Sequence, residues 1–169
     1  MGSRDSWDEQ YGRDGMSGTR ESCACDSCQG ACKAKPGWFL PGEAEKAAEL
    51  MGMSLPEFFN AHLAVDWWEV YGDRDVFVLS PAIVGAEPGT EFPGNPRGTC
   101  VFFEAGRCRI HAAKPAECRA LWHDGPPGGM HEDVATAWED HQGQLSELLG
   151  REPESESYGF GGLFGALGL

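Results

Sequence analysis

The stretch from Cys100 to Cys118, CVFFEAGRCRIHAAKPAEC, sets three cysteines within nineteen residues, punctuated by Gly106 and Pro115. Four more, Cys23, Cys25, Cys28 and Cys32, crowd into CACDSCQGAC, and no cysteine falls between the two groups. Thiols concentrated at two distant places predict a chain that folds back on itself to bring both groups to one site. That requirement constrains the fold more than any other feature of the sequence.

What the thiols do there depends on the compartment. The N-terminal run MGSRDSWDEQYGRDG lacks the apolar core of a secretory signal, and no stretch of about 18 apolar residues occurs. The expectation is a cytoplasmic protein with no membrane span. In a reducing compartment, clustered cysteines serve as metal ligands or redox thiols rather than as structural disulfides. Thirteen basic residues against 27 acidic ones give a net charge of −14, which disfavours nucleic acid as a partner. A hydrophobic fraction of 41% with 24 glycines and 11 prolines describes a loop-rich chain with a lean core. A bound metal would tie such a chain together.

Within the upstream group, Cys25 and Cys28 form a CxxC pair, read as a turn that aims two thiolates at one ion, with Gly30 letting the chain bend towards Cys32. A thioredoxin-like pair is disfavoured because no βαβ context surrounds it. Residues 33–40 read as a short connector. Pro41-Gly42 opens a helix, GEAEKAAELMG, stopped by Gly52. Ser54 and Glu57 match a capping box with Pro56 in the first turn, and Leu55, Phe59, Leu63 and Val70 extend that helix to Gly72. His62 lies near its apolar face as a core or boundary residue.

Asp75–Ser80 reads as a strand and residues 85–98 as a loop. Val101–Phe103 and Arg107–Ile110 form a hairpin about Glu104-Ala105-Gly106, with Cys100 and Cys108 neighbours at its open end. Pro115 opens a helix running to about His123, which sets Cys118 in the first turn, where the helix dipole favours a thiolate. Arg97, Arg107, Arg109, Lys114 and Arg119, against Glu104 and Glu117, make this segment locally positive and suited to offset thiolate charge. Residues 131–149 form the last helix, with Val134, Trp138, His141, Leu145 and Leu148 on one face. His131 and His141 are expected to be structural or solvent-facing.

The downstream half follows the pattern C-x-F-x-n-G-x-C-x-I-[YH]-x-x-[KR]-P-x-x-C-R at Cys100, Phe102, Cys108, Ile110, Lys114, Pro115, Cys118 and Arg119. The upstream half matches at Cys25, Cys28, Gly30 and Cys32. With these residues the chain resembles the zinc- or iron-chelating cysteine-cluster family, described as YkgJ-like and by a CxxCxxCC signature. The resemblance covers roughly residues 23–123. Two positions depart from the pattern: Ala31 stands where the family has the first of two adjacent cysteines, and His111 where tyrosine is common. Cys23 is the candidate replacement for the missing thiol. The resemblance implies bound zinc or iron, or an iron–sulfur centre. A cysteine cluster of similar type also occurs in flagellin lysine methylases.

Soft thiolates exclude magnesium and calcium and favour zinc, iron–sulfur or copper(I). The expected metal ligands are Cys25, Cys28, Cys32, Cys100, Cys108 and Cys118. Six ligands exceed the four of a closed zinc site, leaving open two metals with shared thiolates, an iron–sulfur cluster, or one zinc with bystanders. The leading functional expectation is a metal-binding protein. Alternatives are a metalloenzyme or redox protein, with His111, Glu117 and His123 near the site, and a metal chaperone or sensor. The expected fold is α+β: a small, loop-rich, mostly helical single domain over residues 23–150, with a short cysteine-bearing β-hairpin, organised around a metal site. A disordered tail, 1–22, precedes it. A flexible glycine-rich tail, 151–169, follows and offers a surface for a protein partner.

Overall fold

The computed structural model describes residues 26–70, 74–92, 97–120 and 130–154, with the backbone alone at 26–28. In chain order these form α1 (Asp26–Ala34), α2 (Glu43–Leu50), α3 (Leu55–His62), β1 (Leu63–Val70), β2 (Arg74–Pro81), β3 (Phe103–Glu104), β4 (Arg107–Cys108), α4 (Ala116–Ala120), α5 (His131–Trp138) and α6 (Gln142–Leu149). One-turn 3₁₀ segments occupy His111–Ala113 and Glu139–His141. The class is mixed α+β, with two antiparallel two-stranded sheets. The tail expected at 1–22, Cys23, Cys25, His123 and most of the C-terminal tail lie outside the described residues.

Local signals set several element ends. At α3 the Ser54 hydroxyl accepts from the Glu57 N–H (3.3 Å) while the Glu57 carboxylate accepts from the Ser54 N–H (2.9 Å), a reciprocal capping box. Gly52, at φ +69°, closes α2, and the Met53 N–H returns to the Ala48 carbonyl (2.9 Å).

The expected continuation of α3 to Gly72 is corrected. The helix stops at His62, and Leu63–Val70 is a strand that pairs with β2 over eight positions, from Leu63 opposite Pro81 to Val70 opposite Arg74. Leu55, Phe59 and Leu63 fit a helical period, but Val65, Trp67, Trp68 and Val70 are β-branched or aromatic residues suited to a pleated surface. Pairing with Val76–Leu79 then overrides the local period.

Both edges of this sheet are covered. The Phe39 N–H bonds the Leu79 carbonyl (2.9 Å) on β2. The Gln142 side-chain amide accepts from the Phe77 N–H (3.0 Å) and donates to its carbonyl (2.9 Å), imitating a neighbouring strand. On β1, Val65 accepts from Phe92 and donates to Thr90. Helix α5 packs across both strands and buries Val134, Ala135 and Trp138. The Trp138 indole N–H donates to the Phe39 carbonyl (2.6 Å), so the core aromatic is also a polar tie. The expected 131–149 helix is interrupted at Glu139–His141, and His141 is exposed while Leu145 is buried.

Candidate functional site

Helix α1 replaces the turn expected around the upstream cysteines. Gly30 lies inside it and makes no bend; Cys32 sits near its end, and the Cys28 backbone lies one turn earlier. A helix leaves its last carbonyls without internal partners. Here the Cys32 carbonyl accepts from the Cys100 N–H (2.7 Å) and the Ala34 carbonyl from the Gly98 N–H (2.9 Å). The segment 98–100 thus caps α1 and brings an upstream thiol to a downstream one. Cys100 is fixed from its other side by a bridge to Ile83, just beyond β2.

The hairpin is tighter than its sequence implied. Ala105 and Gly106 form its loop at φ +50° and +75°, and β3 pairs with β4 so that Phe103, not Cys100, faces Cys108. A turn that closes with the Phe103 N–H on the Cys100 carbonyl (3.0 Å) carries the chain from Cys100 into the hairpin. Cys118 is the third residue of α4.

Cys32, Cys100, Cys108 and Cys118 line one cavity of about 70 Å³, with Pro36, Phe102, Ile110, His111 and Lys114 among the other walls. Backbone N–H groups point at three of the sulfurs: Phe102 and Phe103 at Cys100, Ile110 at Cys108, and Gly37 at Cys118. Such bonds favour a thiolate. Burial works against them and prevails, pushing Cys32 and Cys108 above the ordinary thiol value, Cys100 up to about 12, and Cys118 well up. The expected lowering of the Cys118 pKa by the helix dipole is therefore corrected. A five-residue helix carries little dipole, and burial outweighs it.

The charge reading also changes. Lys114 is the cation whose field reaches Cys32 and Cys108. Arg119 is engaged by Glu43 and Arg109 by Glu104 (3.5 Å), while Arg97 and Arg107 are exposed. His62 is a packing residue between the Phe58 and Phe102 rings (5.7 and 5.4 Å), with its pKa lowered by burial and by Arg109.

What holds the thiols in place was invisible as a motif. The segment 37–40, expected to be the end of a short connector, spends four successive N–H groups on three different elements, α4, β2 and α2. Gly37 donates to the Cys118 sulfur, Trp38 to the Glu117 carboxylate (2.7 Å), Phe39 to Leu79, and Leu40 to Glu43 (2.8 Å). Buried Asp66 on β1 accepts from the Trp38 indole (2.8 Å) and pairs with Lys35 (3.2 Å). Buried Glu43 caps α4 through the Ala116 N–H (3.0 Å) and pairs with Arg119. Glu117 also meets His131 Nδ1 at 2.6 Å, and the His131 ring packs against Trp38 and Trp68 (4.3 and 4.9 Å). The adjacent large aromatics that end the connector, Trp38 and Phe39, were the one sequence signal of this hub.

Gly37 carries a sharp steric prediction. A Cβ there would meet the Cys118 sulfur at 2.7 Å and the Glu117 Cβ at 2.9 Å. Gly37→Ala is expected to cost about 1–3 kcal/mol in urea denaturation, because neither neighbour can withdraw without losing its bond to the hub. A midpoint unchanged from the parent protein would contradict this packing.

Soft thiols are donors of the right chemistry for zinc or iron. Among the described residues, however, no three His, Cys, Asp or Glu side chains stand together as a ready metal shell. The four sulfurs surround the cavity without closing on a point. Of the six expected ligands, four are thus brought to one cavity; Cys25 lies outside the described residues, and only the backbone of Cys28 is described. Comparison with protein-family models, curated proteins and solved structures gives no match for this chain.

Proposed function

We propose that the protein binds zinc or iron, the latter as the ion or as an iron–sulfur centre, through its two cysteine groups. The observation that carries this reading is the convergence of Cys32, Cys100, Cys108 and Cys118, from separate elements, on one cavity. Backbone N–H groups already aimed at three of the sulfurs support it, since they stabilise bound thiolates at no further cost in order. Cys25 and Cys28 would complete the donor set. Binding would draw the thiols inward, coupling the metal to the closure of α1, the hairpin and α4 on one another.

The deciding experiment is purification without added metal and without oxygen, followed by elemental analysis and a visible spectrum. Zinc in a colourless sample, or iron with brown absorbance and acid-labile sulfide, is expected. Protein that carries neither and takes up neither on titration would end the proposal.

The raised thiol pKa values give the pH dependence its sign. At neutral pH the metal-free thiols are protonated, so each ligand must release a proton when metal binds. Apparent affinity is expected to rise about tenfold per pH unit for each proton released. In the metal-free protein the sign reverses. A thiol whose pKa is higher folded than unfolded favours the fold below the unfolded value of 9.0, and that contribution fades as pH climbs towards about 12. Melting temperature against pH should therefore fall above about 9 for metal-free protein and hold for loaded protein. Parallel curves would contradict the assignment.

A further inference from the structure

We propose that Cys32 and Cys100 form a reversible disulfide site on the cavity wall, a pairing set by the backbone hydrogen bond that joins the two residues. The Cys100 N–H donates to the Cys32 carbonyl at 2.7 Å. A direct bond of this kind holds two α-carbons about 5–6 Å apart. A disulfide spans about 4.4–6.8 Å between α-carbons, a range with which a backbone hydrogen bond between the two residues is compatible. The second rung, from the Gly98 N–H to the Ala34 carbonyl (2.9 Å), keeps the two segments side by side beyond a single contact.

The side chains agree with the backbone. Both cysteines line the same cavity. No other two of the four cavity thiols are joined by a backbone hydrogen bond: Cys108 faces Phe103 across the hairpin, and Cys118 is held by Gly37. Pairing these two would bridge segments that already touch, α1 and residues 98–100.

The oxidant is a hydroperoxide. Cys32 is half-buried and Cys100 buried, so Cys32 reacts first. The Cys32 thiol gives up its proton as its sulfur attacks the peroxide; the O–O bond breaks, an S–O bond forms, and the hydroxide that leaves takes up a proton to become water. The Cys100 thiol then displaces the sulfenic hydroxyl as a second water, and the S–S bond forms. Two thiols lose two electrons and two protons, and hydrogen peroxide becomes two waters. A dithiol reverses the step. In a reducing compartment such a bond is transient, as redox-sensing disulfides are. Oxidation would tie α1 to residues 98–100 and withdraw two thiols from the cavity. It requires the thiols alone and holds whether or not the metal reading does.

The test uses the full chain, treated with a chelator, oxidised with hydrogen peroxide, alkylated to block remaining thiols, digested, and read by mass spectrometry. The expected result is a dominant peptide pair linking Cys32 to Cys100, with two of the seven thiols protected from alkylation and released by dithiothreitol. Cys100→Ser should abolish the linked pair and Cys108→Ser should keep it, each variant checked for fold by circular dichroism. A dominant Cys25–Cys28, Cys28–Cys32 or Cys108–Cys118 link, or oxidation to sulfinic acid without a cross-link, would overturn the proposal.

Discussion

Glu43→Ala is expected to destabilise the fold by about 3–5 kcal/mol, the range seen when one partner of a buried ion pair is removed. The Glu43 carboxylate serves three donors at once: the Leu40 N–H (2.8 Å), the Ala116 N–H (3.0 Å) and the Arg119 guanidinium. Among the described residues, alanine would leave Arg119 with its bond to the Lys114 carbonyl alone (2.7 Å), in a place where its side chain is 22% exposed. It would also strip the first turn of α4 of its cap. Glu43→Gln should cost roughly half as much, because an amide oxygen at Oε2 can still accept from both the Leu40 and Ala116 N–H groups while its NH₂ group faces the Arg119 guanidinium. Urea denaturation measures both. A loss below about 0.5 kcal/mol for the alanine variant would mean that the carboxylate is not holding α4, and the account of the hub would fail with it.

The reach of that carboxylate shows which parts of the fold could be read from the chain. Signals written within a few residues were legible. Ser54 with Glu57, the stop at Gly52, the apolar run of β2 and the turn at Ala105-Gly106 each declare themselves locally, and each forms. Leu63–Val70 was misread because its apolar spacing allows a helix. The decision belongs to Val76–Leu79, whose pairing potential no window on the first segment contains. Helix α1 was missed for a related reason. The CxxC spacing drew attention to a turn, while the partners that satisfy its terminal carbonyls, Gly98 and Cys100, come much later in the chain.

The candidate site divides along the same line. Cysteine identity and count were legible, and the four cysteines whose side chains are described do converge. Their support was not, because Glu43, Asp66 and Glu117 look like ordinary members of an acidic surface until the fold buries them. Burial likewise reversed the expectation for Cys118: proximity to a helix start is a local argument, and desolvation depends on everything packed around it. Of the positive charge near the cysteines, Arg109 and Arg119 proved engaged by carboxylates and Arg97 and Arg107 exposed, with Lys114 left to act on the sulfurs.

Cys118→Ser is expected to weaken metal retention by at least about a hundredfold, and to do so with little loss of fold in the metal-free protein. A structural zinc site contributes about 10–16 kcal/mol through roughly four ligands, so one thiolate accounts for about 3 kcal/mol, near a hundredfold in affinity. Serine keeps the size and can still accept from the Gly37 N–H, so the contacts of α4 with Glu43 and of Glu117 with Trp38 survive. The contrast with Glu43→Ala is what makes the pair of experiments informative. Loss of Glu43 should lower stability whether or not metal is present, and should weaken binding only through the displaced helix. Loss of the Cys118 sulfur should leave urea denaturation of metal-free protein within about 1 kcal/mol of the parent and show itself in competition with a chromogenic chelator. If both variants lost stability alike and metal retention were unchanged in Cys118→Ser, Cys118 would be a packing residue of the cavity wall and not a ligand. The same competition assay on Cys32→Ser and Cys100→Ser would then show whether any of the converging thiols holds metal, because those two reach the cavity from α1 and from the segment 98–100 that caps it, independently of α4.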